Sequence, residues 1–170
     1  MTLHMAPAWH TTVWMNTPKP LDLDQLRGKV VLLHAFQMLC PGCVANAIPQ
    51  AKRAAQLFAG APLVVVGLHT VFEHHAVTGP DALRAFLHEY RVDFPVGVDA
   101  PGEDGDALPC TMRVYAMQGT PTTILIDAQG RLRQQIFGAC DDLWLGAEIG
   151  MLLAEVPTSA ALAGAAEPQH

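Results

Sequence analysis

A chain of 170 residues with net charge −6 and about half its residues apolar fits one globular domain, long enough to bury a core without a disulfide or metal staple. The acidic balance and the lack of any basic stripe exclude a nucleic-acid binder. No apolar run approaches the ~20 residues of a membrane span, and no basic start precedes an apolar run, so the expectation is a soluble cytoplasmic protein whose thiols rest reduced.

Residues 1–20 hold three prolines and scattered histidines with no clear period, and are read as an irregular lead-in. Leu21 to Gly28 reads as a short helical turn or loop. Val30 to Phe36, "VVLLHAF", is apolar on both faces, as a central parallel strand should be. Pro41 to Phe58 reads as a helix, with Cys40 at its N-cap and Pro41 at N1, where a missing N–H costs nothing. Leu63 to Leu68 is a second buried strand, and Asp81 to Tyr90 an amphipathic helix with Leu83, Phe86, Leu87 and Tyr90 at helical spacing. Phe94 to Val98 is a short extended piece, Asp99 to Pro109 a loop, and Thr111 to Met117 a short helix. Thr122 to Asp127 and Leu132 to Phe137 form a hairpin about the turn "AQGR". Asp141 to Val156 is a final helix capped by Asp141 or Asp142, followed by an Ala-rich, flexible tail over residues 157–170. The alternating first half implies parallel strands joined by crossover helices, with the hairpin added to the same sheet.

Cys40 and Cys43 sit where the first core strand turns into a helix. Free N–H groups and the positive end of the macrodipole favour a thiolate there. In C-x-x-C pairs such a site can draw a thiol from about 8.5 to about 3.5–7. Cys43, at N3, is placed to attack a mixed disulfide formed at Cys40, and is expected to be the more buried and less acidic thiol. A structural disulfide fits this junction poorly. Zinc would need two more ligands, and Cys110 and Cys140 stand thirty residues apart with no partner cysteine or histidine beside either.

Three stretches in order, "GKVVLLHAFQMLCPGC", "FLHEYRVDFPVGVD" and "GTPTTILIDAQGRL", are similar to motifs of the thioredoxin superfamily. Within it, the chain resembles the redoxin or TlpA-like thiol–disulfide oxidoreductases over about Asp22 to Val156. The resemblance implies an α/β, thioredoxin-like fold over residues 21–156: a central mixed sheet flanked by helices on both faces. It implies a CPGC active site with Cys40 as nucleophile and Cys43 as resolving thiol. It also implies a cis peptide at Thr120–Pro121 facing the cysteines, with Thr120 presenting backbone to an extended substrate as an added strand. Leu39, Pro41 and Gly42 would complete the substrate-binding rim. The implied partners are a disulfide-containing protein or a small thiol or disulfide, and a reductant such as another thioredoxin-type system. No cofactor, metal, nucleic acid or membrane is called for.

The chain departs from that pattern in several places. Leu39 stands where the family usually has Trp, and Asn46 where related enzymes often carry Glu. Pro49 comes six residues after Cys43 rather than five, so the helix start is expected to be rewound. His34 lies six before Cys40, where thioredoxins resemble one another in a buried Asp that helps deprotonate the second cysteine. Histidine can do that proton work near neutral pH, which makes His34 the candidate proton acceptor; the alternative is a buried neutral histidine with one hydrogen bond.

"HTVFEHH", His69 to His75, looks metal-like, although loop histidines more often serve as solvated or substrate-facing groups. Cys110 and Cys140 read as small apolar residues, with Cys110 a candidate regulatory thiol. Two functional alternatives stand beside the oxidoreductase. One is a thiol peroxidase, whose Pro-x-x-x-Thr-x-x-Cys motif fails at Cys40, where Gln37, preceded by Phe36, stands in its Thr position. The other is a non-enzymatic redox-sensing or metal-binding module.

Overall fold

The computed structural model describes residues 3–103 and 106–157. Its six strands are β1 (Thr11–Met15), β2 (Val30–Phe36), β3 (Leu63–His69), β4 (Val96–Asp99), β5 (Thr122–Ile126) and β6 (Leu132–Phe137). They form one mixed sheet in the order β1-β4-β3-β2-β5-β6. The helices are α1 (Ile48–Leu57), α2 (Pro80–Glu89), α3 (Cys110–Val114) and α4 (Asp142–Ala154). β2 runs parallel to β3 and antiparallel to β5, which places it at the centre, and all seven of its residues are buried. This is a thioredoxin-like α/β fold, as the sequence implies.

Alternation along β2 feeds two cores. Val30, Leu32 and Phe36 face Ile48 and Ala51 of α1, Leu83 and Leu87 of α2, and Ile149 of α4. Val31, Leu33 and Ala35 face Met112 of α3, Tyr115, and Leu23 and Leu26 from the segment before β2. Helices therefore cover both faces, three on one and the short α3 on the other. No helix among the described residues is long and apolar enough to cross a membrane.

The lead-in is not irregular throughout. Thr11–Met15 pairs antiparallel with β4 and closes one edge of the sheet. Residues 4–6 also reach the hairpin turn: Met5 bridges Arg131, and Ala6 N–H donates to Gly130 O at 2.9 Å. The folded unit thus begins before residue 21. β1 escaped sequence reading because it is an edge strand, half-buried, kinked by a bulge between Thr11 and Val13, and paired with a segment more than eighty residues away. The helix expected over Pro41 to Phe58 is interrupted. Cys43–Ala47 is π-helical, and Ile48 N–H donates to Cys43 O, five residues back. The wide turn absorbs the extra residue before Pro49, which has no N–H of its own to give. The short helix expected over Thr111 to Met117 covers only Cys110–Val114. Asp141 caps α4, its Oδ1 accepting Trp144 N–H at 2.9 Å. The expected flexible tail lies, from residue 158 on, outside the described residues.

At the end of β4, Asp99 is buried and ties three elements together. Its carboxylate accepts the Thr70 hydroxyl at 2.9 Å and the N–H groups of Thr111 and Met112 at 2.8 and 3.0 Å. This fixes the start of α3 and the first residue after β3, from which one wall of the cysteine groove departs.

Candidate active site

β2 delivers the chain to Gln37, and three residues later Cys40 caps the helix that follows. Its carbonyl accepts Val44 N–H at 3.1 Å, and its Sγ accepts Cys43 N–H at 3.3 Å. The two cysteines are free thiols and differ sharply in setting. Cys40 is half-buried and lines a groove, whereas Cys43 has no exposed surface. Burial, reinforced by Cys40 itself, pushes the Cys43 thiol up to about 12, against hydrogen bonds from the Gln37 backbone and the Thr120 side chain.

The Thr120–Pro121 peptide is cis. The Cys40 thiol donates to Thr120 O at 3.5 Å. Gly42 lies against the Pro121 ring: a Cβ at that position would stand 3.4 Å from Pro121 Cδ. Sequence reasoning placed the Thr120 backbone here but missed its side chain, which works against the upward shift at Cys43. Leu39 and Pro41 are exposed on the rim. The groove measures about 440 Å³ and is walled by Cys40, Leu39, Thr120, Phe72, Glu73 and Phe137. A second cleft of about 500 Å³ lies between α1 and α4 and holds neither cysteine of the pair, so chemistry rather than volume marks the site.

His34 stands on the β2 face that carries Leu32 and Phe36, the face whose core contains Cys43. It is 1% exposed; its Nδ1 lies 3.3 Å from Thr123 Oγ1, its cross-strand neighbour, and its Nε2 has no partner. Burial lowers its pKa to about 4, so it is neutral at pH 7. It is not among the groups that shift Cys43.

The histidine-rich stretch does not act as one cluster. His69 is buried at the end of β3 against the Phe36 ring, centroids 5.3 Å apart, with Nε2 unpartnered and its pKa lowered to about 4 by burial. His74 lines the groove beside Glu73. Among the described residues no three His, Cys, Asp or Glu side chains come together to hold a metal. The Cys110 thiol is buried and donates to Pro101 O at 3.1 Å. Cys140 is half-buried, and burial followed by the charges of Asp141 and Asp142 pushes it up to about 11. Asn46 is exposed.

Known proteins resemble this chain in sequence and fold. The redoxin family profile matches residues 5–142. A thioredoxin-like superfamily protein of known structure is 51% identical with a TM-score of 0.86, covering 90% of this chain and 99% of its own. A thiol-disulfide isomerase from Corynebacterium glutamicum is 46% identical with a TM-score of 0.83, over 88% of this chain and 97% of its own. Protein DipZ of Mycobacterium bovis is 33% identical over 132 residues, or 76% of this chain, which spans only 18% of DipZ.

The buried histidines set an acid limit on stability. Each binds its proton more weakly folded, at about 4, than at the ordinary 6.5, so the unfolded chain takes up more protons as pH falls through that window. Stability is therefore full above pH 6.5 and drops toward pH 4, by up to about 3 kcal/mol for each histidine. Urea unfolding of His69→Leu is expected to show a clearly shallower loss over that window than the unmodified chain. An unchanged slope would contradict a neutral, buried His69.

Proposed function

This chain belongs to the redoxin family, and from that premise we propose that it is a thiol–disulfide oxidoreductase in which Cys40 attacks and Cys43 resolves. The observation that carries this reading is the asymmetry of the pair: one sulfur half-exposed in a groove, its neighbour sealed beneath it and held as a thiol. The Cys40 thiolate attacks one sulfur of a partner disulfide, forming a mixed disulfide and expelling the other sulfur as thiolate. Cys43 then loses its proton and attacks Cys40 Sγ. The Cys40–Cys43 disulfide forms and the second partner thiolate leaves, so the partner gains two electrons and the enzyme loses two. A dithiol reductant of the thioredoxin type returns them by the same exchange in reverse.

Two of the influences that hold Cys43 high come from Cys40: its hydrogen bond and its charge. Both vanish once Cys40 is bonded to the partner, so the resolving thiol becomes more acidic when it is needed. His34 is the proposed proton acceptor. Its place on the face that packs over Cys43 and its free Nε2 support that role. Its low basicity makes it a relay that returns the proton rather than a store. The substrates are disulfide-bearing polypeptides or small disulfides, with the cis-proline strand offering Thr120 backbone to an extended segment.

Replacing Cys43 with Ser removes an attack worth about 10⁵ M or more in effective concentration. Cys43→Ser is expected to accumulate a mixed disulfide at Cys40 and to lose disulfide turnover by at least about a thousandfold. Failure to trap any partner, or peroxide consumption by the unmodified chain faster than disulfide turnover, would contradict this assignment. His34→Ala is expected to slow decay of the mixed disulfide by about tenfold near neutral pH, with the first attack less affected. An unaltered pH profile for that decay would remove His34 from the mechanism.

A further inference from the structure

The segment from Val71 to Thr78 leaves β3 and supplies Phe72, Glu73, His74 and Thr78 to the groove that holds Cys40. Its base is secured where Thr70 N–H donates to Phe36 O at 3.0 Å and the Thr70 hydroxyl to Asp99. Inside the segment, the Thr78 hydroxyl and Val77 N–H both donate to His74 O. Phe72 packs on the core at one side. Beyond that, among the described residues, only two hydrogen bonds join 71–78 to the rest of the fold. Phe72 N–H and Glu73 N–H donate to the side-chain oxygen of Gln37, at 3.2 and 3.4 Å.

Gln37 is 5% exposed, between Phe36 and Met38. A buried amide in such a setting is costly unless its polar atoms find partners. Its backbone is committed to the cysteine turn: its carbonyl accepts Cys40 N–H at 3.1 Å. One residue therefore grips the cysteine turn with its main chain and the groove wall with its side chain.

We propose that Gln37 is a positioning residue that fixes the Phe72–His74 wall relative to Cys40, and so fits the groove to extended polypeptide disulfides rather than small ones. This rests on the thiol–disulfide reading above. An extended substrate runs between Thr120 and the wall and needs both in register. A small disulfide meets Cys40 alone.

The test compares Gln37→Met, which keeps the shape and loses the acceptor, with Gln37→Glu, whose carboxylate accepts the same two N–H groups. Kinetics are measured on a short disulfide-linked peptide and on hydroxyethyl disulfide. Gln37→Met is expected to raise KM for the peptide by about tenfold more than for hydroxyethyl disulfide, with kcat on the peptide changing less than KM. Gln37→Glu is expected to recover most of the peptide KM. Equal losses on both substrates, or identical behaviour of the two variants, would overturn the assignment. Hydrogen exchange on the unmodified chain gives a check that needs no variant to fold: Phe72 and Glu73 amides are expected to be protected, and exchange at unstructured rates would overturn the proposal. Were the unmodified chain inactive on both disulfides, the thiol–disulfide reading itself would fall, and the role of Gln37 with it.

Discussion

The 3.3 Å hydrogen bond from Cys43 N–H to Cys40 Sγ is the contact on which the rest of the structure depends. It places a partial positive charge against the outer sulfur and sets the inner cysteine one helical turn away. The bond exists because β2 cannot shift. It lies between β3 and β5, with every residue buried and each face packed into a separate core. A slip of one residue would turn the apolar set of each face toward the other core. The strand therefore ends at one place, and the turn it feeds puts Cys40 at the mouth of the helix. From the other side of β2, the cis Thr120–Pro121 peptide just before β5 brings Thr120 O to within 3.5 Å of the same sulfur.

Burial then divides the work between two chemically identical groups. Cys40 opens onto a groove, whereas Cys43 is sealed and pushed up to about 12. Desolvation is the largest cause, so the inner sulfur stays protonated while the outer one is free to react. Part of that push belongs to Cys40, and reaction at Cys40 withdraws it. In the proposed exchange this sets the order of events, outer sulfur first. Thr120 takes part on both levels, its carbonyl facing Cys40 and its side chain moderating Cys43. Gln37 does the same from the opposite strand, through its main chain to Cys40 and its side chain to the groove wall.

What could be read from the sequence was local. "VVLLHAF" followed by a C-x-x-C turn is contiguous, and its strand, helix cap and cysteine asymmetry follow from nearest neighbours. The rewound helix was legible by counting to Pro49, and the cis peptide through family resemblance. The missing parts are non-local. β1 is recognisable only beside β4, and the Gln37 amide matters only because β3 returns the chain past it. "HTVFEHH" was legible only in part: His74 lines the groove, as a substrate-facing loop histidine would, but that His69 is buried in the core shows only with β3 in place. His34 stands out in the sequence, yet its depth of burial, and hence its weak basicity, could not be seen without the sheet around it.

Peptide mapping by mass spectrometry, after treating the reduced protein with one equivalent of a mild thiol oxidant, tests the central claim most directly. The account predicts a single Cys40–Cys43 disulfide, formed through Cys40, with Cys110 and Cys140 still free thiols. A Cys40 left unlinked, or joined to Cys110 or Cys140 in place of Cys43, would contradict it.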